Sequence, residues 1–160
     1  MSLHPDSKRM NIHDIDAFAV ICQDPRFTIR VDSADDGDRK AARKALGTER
    51  VEFIQFGGGA EAMGCACDVM QSKQAIISAL MVAIKSHHAK RGLLVTHTEC
   101  GAISLSGQKF DSLQAEKEFH FNHLRDRRKE VMAAYPELEE LLTGYMTIDE
   151  NDNVVIEIVN

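Results

Sequence analysis

The chain has 160 residues, 44% hydrophobic and 28% charged, which suits one compact domain over residues 1–160. Its net charge of -6 and pI of about 5.6 speak against a nucleic-acid partner, which wants a basic face. No apolar run approaches the roughly 20 residues that span a bilayer, and the polar start "MSLHPDSKRMNIHD" does not read as a secretory signal, so a cytoplasmic protein without membrane contact is expected.

The first apolar run, residues 17–22, is broken by Pro25 and predicts a buried strand followed by a loop. In "DDGDRKAARKALGTER", Ala41, Ala42, Ala45 and Leu46 sit at helical spacing and Gly47 is a good stop. "VEFIQFGGGA" predicts a second strand running into Gly57, Gly58 and Gly59. Residues 72–92 predict a helix with Ser72 as N-cap, basic residues near its end and Gly92 as terminator. Residues 75–84 are apolar nearly all round, so this helix is expected to be buried or shared with a partner chain, as in a homodimer or higher homo-oligomer. Residues 92–97 form the third strand. A long, charged helix follows, with Leu113, Phe121, Leu124 and Val131 along one side, and Pro136 is expected to open a short helix, "PELEELL". The last two β-rich runs flank Glu150, Asn151, Asp152 and Asn153 and predict a hairpin. The expected fold is α/β: a mainly parallel central sheet flanked by helices, with a C-terminal hairpin.

In such sheets ligands collect beyond the carboxyl ends of the strands. After the first strand comes Cys22-Gln23-Asp24-Pro25-Arg26, and after the third come His97 and Cys100. If the two strands are neighbours, Cys22, His97 and Cys100 converge. Two thiolates and an imidazole are a good zinc set, and three protein ligands leave the fourth position open for water or substrate, the pattern of catalytic zinc. Asp24 lies close enough to approach the metal or its water, and Arg26 can hold Asp24 through a charge-assisted pair.

Other features carry less. The four cysteines, Cys22, Cys65, Cys67 and Cys100, do not read as a disulfide framework but as free, catalytic or metal-bound thiols. Cys65 and Cys67 are read as small residues at a helix start, with redox activity or competition for metal as the rival. The three glycines lack a Walker-type lysine and are read as allowing close backbone approach. His87 and His88 are expected in solvent at a basic helix end, a proton shuttle being the rival. His120 and His123, at i, i+3, have a spacing that can chelate metal but are read as part of an ordinary polar face.

Together "VICQDPR" and "VTHTECGA" resemble the two motifs of the β-class carbonic anhydrases, C-x-D-S-R and H-T-D-C-G at the ends of two strands. The resemblance extends over about residues 17–159 and implies a β-carbonic anhydrase-like fold. It implies one Zn2+ per chain on Cys22, His97 and Cys100, with Asp24 and Arg26 as the catalytic pair. Asp24 would either occupy the fourth zinc position or swing to Arg26 and admit water. The implied activity is that of a zinc lyase, the reversible hydration of CO2 to bicarbonate by zinc-bound hydroxide. The alternatives are a β-class-like hydrolase of another small electrophile such as CS2 or COS, and a non-catalytic zinc protein. Two thiolates cancel the zinc charge, so bound water should be closer to the ~9 of aqueous zinc than to the ~7 of a three-histidine site, and activity should rise toward alkaline pH. The chain departs from the family pattern at Pro25, which stiffens the Asp24 loop. "QFGGGAEAM" stands where the family carries an R-N-x-A-type segment, and the family's pocket glutamine has no counterpart.

Overall fold

A computed structural model of the chain describes residues 14–28, 37–64 and 72–159. Four parallel strands and one antiparallel strand form a sheet in the order β2-β1-β3-β4-β5. β3 (Arg91–His97) is its central strand; β1 (Ala17–Ile21) lies inside the sheet beside it, and every residue of β1 is buried. A strand covered on both faces needs apolar side chains on both, hence the continuous run "AFAVI". β2 (Val51–Gln55) is an edge strand and only half buried. The expected α/β sheet and its neighbouring first and third strands are therefore present.

Helices cover both faces. α1 (Pro25–Thr28) and α2 (Gly37–Leu46) cover one, where Phe27, Ala42 and Leu46 meet Ala17, Ala19, Ile21, Leu93 and Val95. On the other, Phe18, Val20, Cys22 and Leu94 meet α3 (Lys73–Met81), α4 (Gly101–Leu105) and α5 (Leu113–Ala134) through Ile76, Leu80, Ile103, Leu124 and Val131. Gly47 takes a left-handed φ of 64° and ends α2 as its type predicts. α5 is capped by Ser112, whose hydroxyl accepts from the Ala115 amide at 3.1 Å.

Three expectations change. Gly92 does not end the third helix: α3 passes into a π turn at Val82–Ser86, His88 turns at φ 59°, and Gly92 lies inside β3. A Cβ there would sit 2.3 Å from the ring tip of Phe18, so the ring occupies the space. Nor is this apolar helix buried all round within the chain: Ile76, Leu80, Ala83 and Ile84 are buried, whereas the apolar Met81 is 52% and Val82 40% exposed. Finally, "PELEELL" is not a helix. Its second half opens β4 (Glu140–Ile148), which runs parallel to β3 with Arg91 opposite Glu140, an ion pair at 2.7 Å. Burying Leu141 on the sheet overrides the helix preference of Glu and Leu. β5 (Val154–Ile158) closes the expected hairpin, and Asp149 accepts the amides of Asn151 and Asn153 at 2.9 and 2.8 Å to form the turn.

Candidate metal centre

The register of β1 and β3 pairs Ala17 with Arg91 and Val20 with Leu94, so the residues leaving the two strands emerge at the same edge. Cys22 follows β1, His97 ends β3, and Cys100 stands at the start of α4. One ligand atom from each lies within 4.8 Å of the other two, and all three residues are buried. Among the described residues this is the one group of three or more His, Cys, Asp or Glu side chains placed to hold a metal ion.

The ring of His97 is oriented by its own neighbour. Nδ1 lies 2.9 Å from the Thr98 carbonyl and donates to it, which leaves the lone pair on Nε2. Nε2 is buried and has no hydrogen-bond partner among the described residues. A buried nitrogen without a partner costs free energy, whereas a metal ion would satisfy it. The thiols divide protons unequally. Hydrogen bonding to Cys100 and then burial push Cys22 up, while the same bond, against burial and with help from His97, holds Cys100 down to about 4. Burial pushes His97 down, but its contact with Cys100 outweighs this and leaves it above its ordinary value. Such a crowded, proton-sharing set of soft donors suits a cation that replaces the protons. The residues present fit zinc.

The backbone closes tightly around the sulfurs. The Gly58 amide donates to Cys22 Sγ at 3.3 Å. Gly58 and Gly59 both take left-handed φ, 88° and 55°, and a Cβ on Gly59 would lie 2.6 Å from the Val95 carbonyl oxygen and 3.0 Å from the Cys22 amide. The glycine run thus serves close approach, as its sequence suggests.

Asp24 and Arg26 face the same centre. Arg26 grips the carboxylate as a fork: Nε donates to Oδ1 at 3.1 Å, Nη2 to Oδ2 at 2.9 Å, and the Arg26 amide to Oδ1 at 2.9 Å. Burial pushes the Asp24 carboxyl up, but these bonds outweigh it and leave it below its ordinary value. The bond to Asp24 raises Arg26 in turn. Nη2 of Arg26 also donates to the carbonyls of Thr98 and Glu99, at 3.3 and 2.8 Å.

The remaining candidates fall elsewhere. His88 is exposed beside Asp14, as expected, but His87 is half-buried with Nδ1 2.6 Å from Glu52 Oε2. Cys65 and Cys67 lie outside the described residues. His120 and His123 do not form a polar face. His120 is fully buried, and the Nδ1 atoms of His120 and His123 lie 3.0 and 2.5 Å from the two oxygens of Glu61, itself only 3% exposed. The i, i+3 spacing of the histidines was the only signal; their partner sits in the short 3-10 helix Gly59–Met63.

No family model matches the chain, and no curated protein does. Among solved structures it is similar to the apo form of a carbon disulfide hydrolase, at 16% identity and a TM-score of 0.41, over 88% of this chain and 77% of the other. No helix among the described residues is long and apolar enough to cross a membrane.

Proposed function

We propose that the chain is a zinc enzyme that hydrates CO2 reversibly to bicarbonate, with one zinc ion on Cys22, His97 and Cys100. The observation that carries this reading is the pairing of a three-donor pocket, containing a buried imidazole nitrogen without a partner, with a carboxylate held beside it by a guanidinium fork. When bound, the ion supplies a Lewis acid that lowers the pKa of a water and so provides a nucleophile.

The chain's own residues then do three things. Cys22 and Cys100 would hold the cation as thiolates, and His97, oriented by Thr98, would offer it the Nε2 lone pair. Asp24, whose carboxyl the Arg26 fork holds below its ordinary value, would accept a hydrogen bond from the attacking oxygen and orient it. The new C–O bond forms as one C=O pair moves onto oxygen, and the proton lost from water leaves to solvent.

Stopped-flow CO2 hydration on zinc-loaded protein, from about pH 6.5 to 9.5, tests the proposal. A rate that vanishes in Cys100→Ser supports it. Zinc bound with no rate at any pH refutes it, and parallel assays with COS and CS2 then separate another small-electrophile hydrolase from a non-catalytic zinc protein. The exposed Met81 and Val82 support a homo-oligomer as part of the same proposal; sedimentation as a monomer at micromolar concentration would count against it.

A further inference from the structure

Behind the candidate metal centre, α5 buries polar groups that the proposed reaction does not use. Glu116 is 4% exposed and His120 fully buried, on the same face as Leu124 and Val131. Burying a carboxylate costs free energy unless it is fully engaged, and an apolar side chain would pack there more cheaply. The bonds of Glu116 show what engages it. Oε1 accepts the Glu99 amide at 2.6 Å, and Oε2 accepts the Thr98 hydroxyl at 3.2 Å.

Those two residues are the seat of the centre. The Thr98 carbonyl takes the Nδ1 proton of His97 and one bond from Arg26, and the Glu99 carbonyl takes another from Arg26. Glu99 adopts φ 52°, a left-handed conformation that a residue with a side chain holds only when its surroundings impose it. The short bond from its amide to a buried carboxylate is such an imposition. Glu116 is itself backed by α5: His120 Nε2 lies 3.8 Å from Oε1, and His120 Nδ1 is tied to Glu61.

We infer that Glu116 is a positioning residue for the centre: by fixing the peptide planes of Thr98 and Glu99 it sets the ring of His97 and the fork of Arg26 at once. This rests on the reading of Cys22, His97 and Cys100 as a metal site. Partners one bond beyond a ligand typically change metal affinity or activity 10–100-fold. Glu116 stands one step further out, behind the Thr98 carbonyl that takes the His97 proton and behind the carbonyls that hold Arg26, so an effect at the lower end of that range is expected.

The test uses the full chain with Glu116→Gln, loaded with zinc and separately with cobalt(II). The variant is expected to keep its far-ultraviolet circular dichroism, to bind zinc roughly 10-fold more weakly by competition with a chromophoric chelator, and to shift the visible cobalt bands. A folded Glu116→Gln protein with unchanged zinc affinity and an unchanged cobalt spectrum overturns the inference. Should that variant not fold, Thr98→Val removes one donor to Glu116 together with the Thr98 contact to Tyr145, and Tyr145→Phe serves as the control for the latter; a loss in Thr98→Val that Tyr145→Phe does not share supports the inference, and none overturns it. Metal binding without CO2 hydration sinks the proposed activity but leaves this inference standing on the cobalt spectrum. If the wild-type chain binds no metal, the side-chain NMR signal of Arg26 decides. It should move in Glu116→Gln together with the Glu99 amide, and an unmoved Arg26 signal overturns the inference.

Discussion

Oδ2 of Asp24 lies 3.9 Å from Nε2 of His97 and 2.9 Å from Nη2 of Arg26. The carboxylate therefore stands at the edge of the donor triangle, gripped by the guanidinium beside it. The Arg26 fork forms with Pro25 between the two residues.

Replacing Asp24 by Ala separates an enzyme from a scaffold. In an enzyme the oxygen nucleophile loses its orienting acceptor, and kcat/KM should fall by about 10²-fold or more while zinc content stays at one per chain. If only zinc retention changes, Asp24 serves the fold and not turnover. Arg26→Ala should lower the rate as well, because the carboxylate loses its fork.

The rate should climb toward alkaline pH. Two thiolates would leave a bound zinc less electrophilic than three histidines would, so the ionisation that makes the proposed nucleophile should sit nearer ~9 than ~7. A profile flat between about pH 6 and 9 would contradict that charge argument.

Gly59→Ala should damage stability and the centre together. The new methyl meets the Val95 carbonyl at 2.6 Å and the Cys22 amide at 3.0 Å, at a φ of 55° that disfavours any side chain. A loss of about 3 kcal/mol in denaturant unfolding is expected, with weaker zinc binding. A variant as stable as the parent would show that the backbone there can give way.

The Glu61–His123 pair should make stability depend on pH. Burial pushes the Glu61 carboxyl up, but bonds from His120 and His123 outweigh it and leave it below its ordinary 4.5. Hydrogen bonding to Glu61 lifts His123 above its ordinary 6.5. The lowered carboxylate contributes stability that is present above 4.5 and lost as pH falls through its folded value. The raised histidine contributes stability that is full below 6.5 and lost as pH rises through its folded value. The Tm gap between the wild type and His123→Gln should therefore be widest between about pH 4.5 and 6.5 and shrink above. A gap constant from about pH 5 to 8 would exclude the pair as its source.

Much of the centre was legible before any coordinates, because its parts are local. Each strand is an apolar run that stops abruptly, and the donors sit at the stops: Cys22 after "AFAVI", His97 at the end of "RGLLVTH". Parallel topology alone then brings them to one edge. What escaped depends on partners distant in sequence. Glu116 and His120 look like members of a solvated face until the chain places the Glu99 amide, 17 residues from Glu116, and Glu61, 59 residues from His120, against them. β4 escaped for a related reason: Glu and Leu favour a helix in isolation, and only pairing with β3 makes them a strand. Gly92 read as a stop because nothing nearby in the sequence announces the ring of Phe18.

The pairing of Ala17 with Arg91 has one more consequence. Successive side chains of a strand point to opposite faces, so a one-residue slip of β1 against β3 would carry Cys22 from the side of Phe18 and Val20 to the side of Ala19 and Ile21. Because "AFAVI" is apolar at every position, hydrophobic burial alone discriminates poorly between the two alignments. A cation that needs all three donors would accept only one of them. The ion would then act during folding as a proofreader of strand alignment, and refolding with zinc should return more native protein than refolding in chelator.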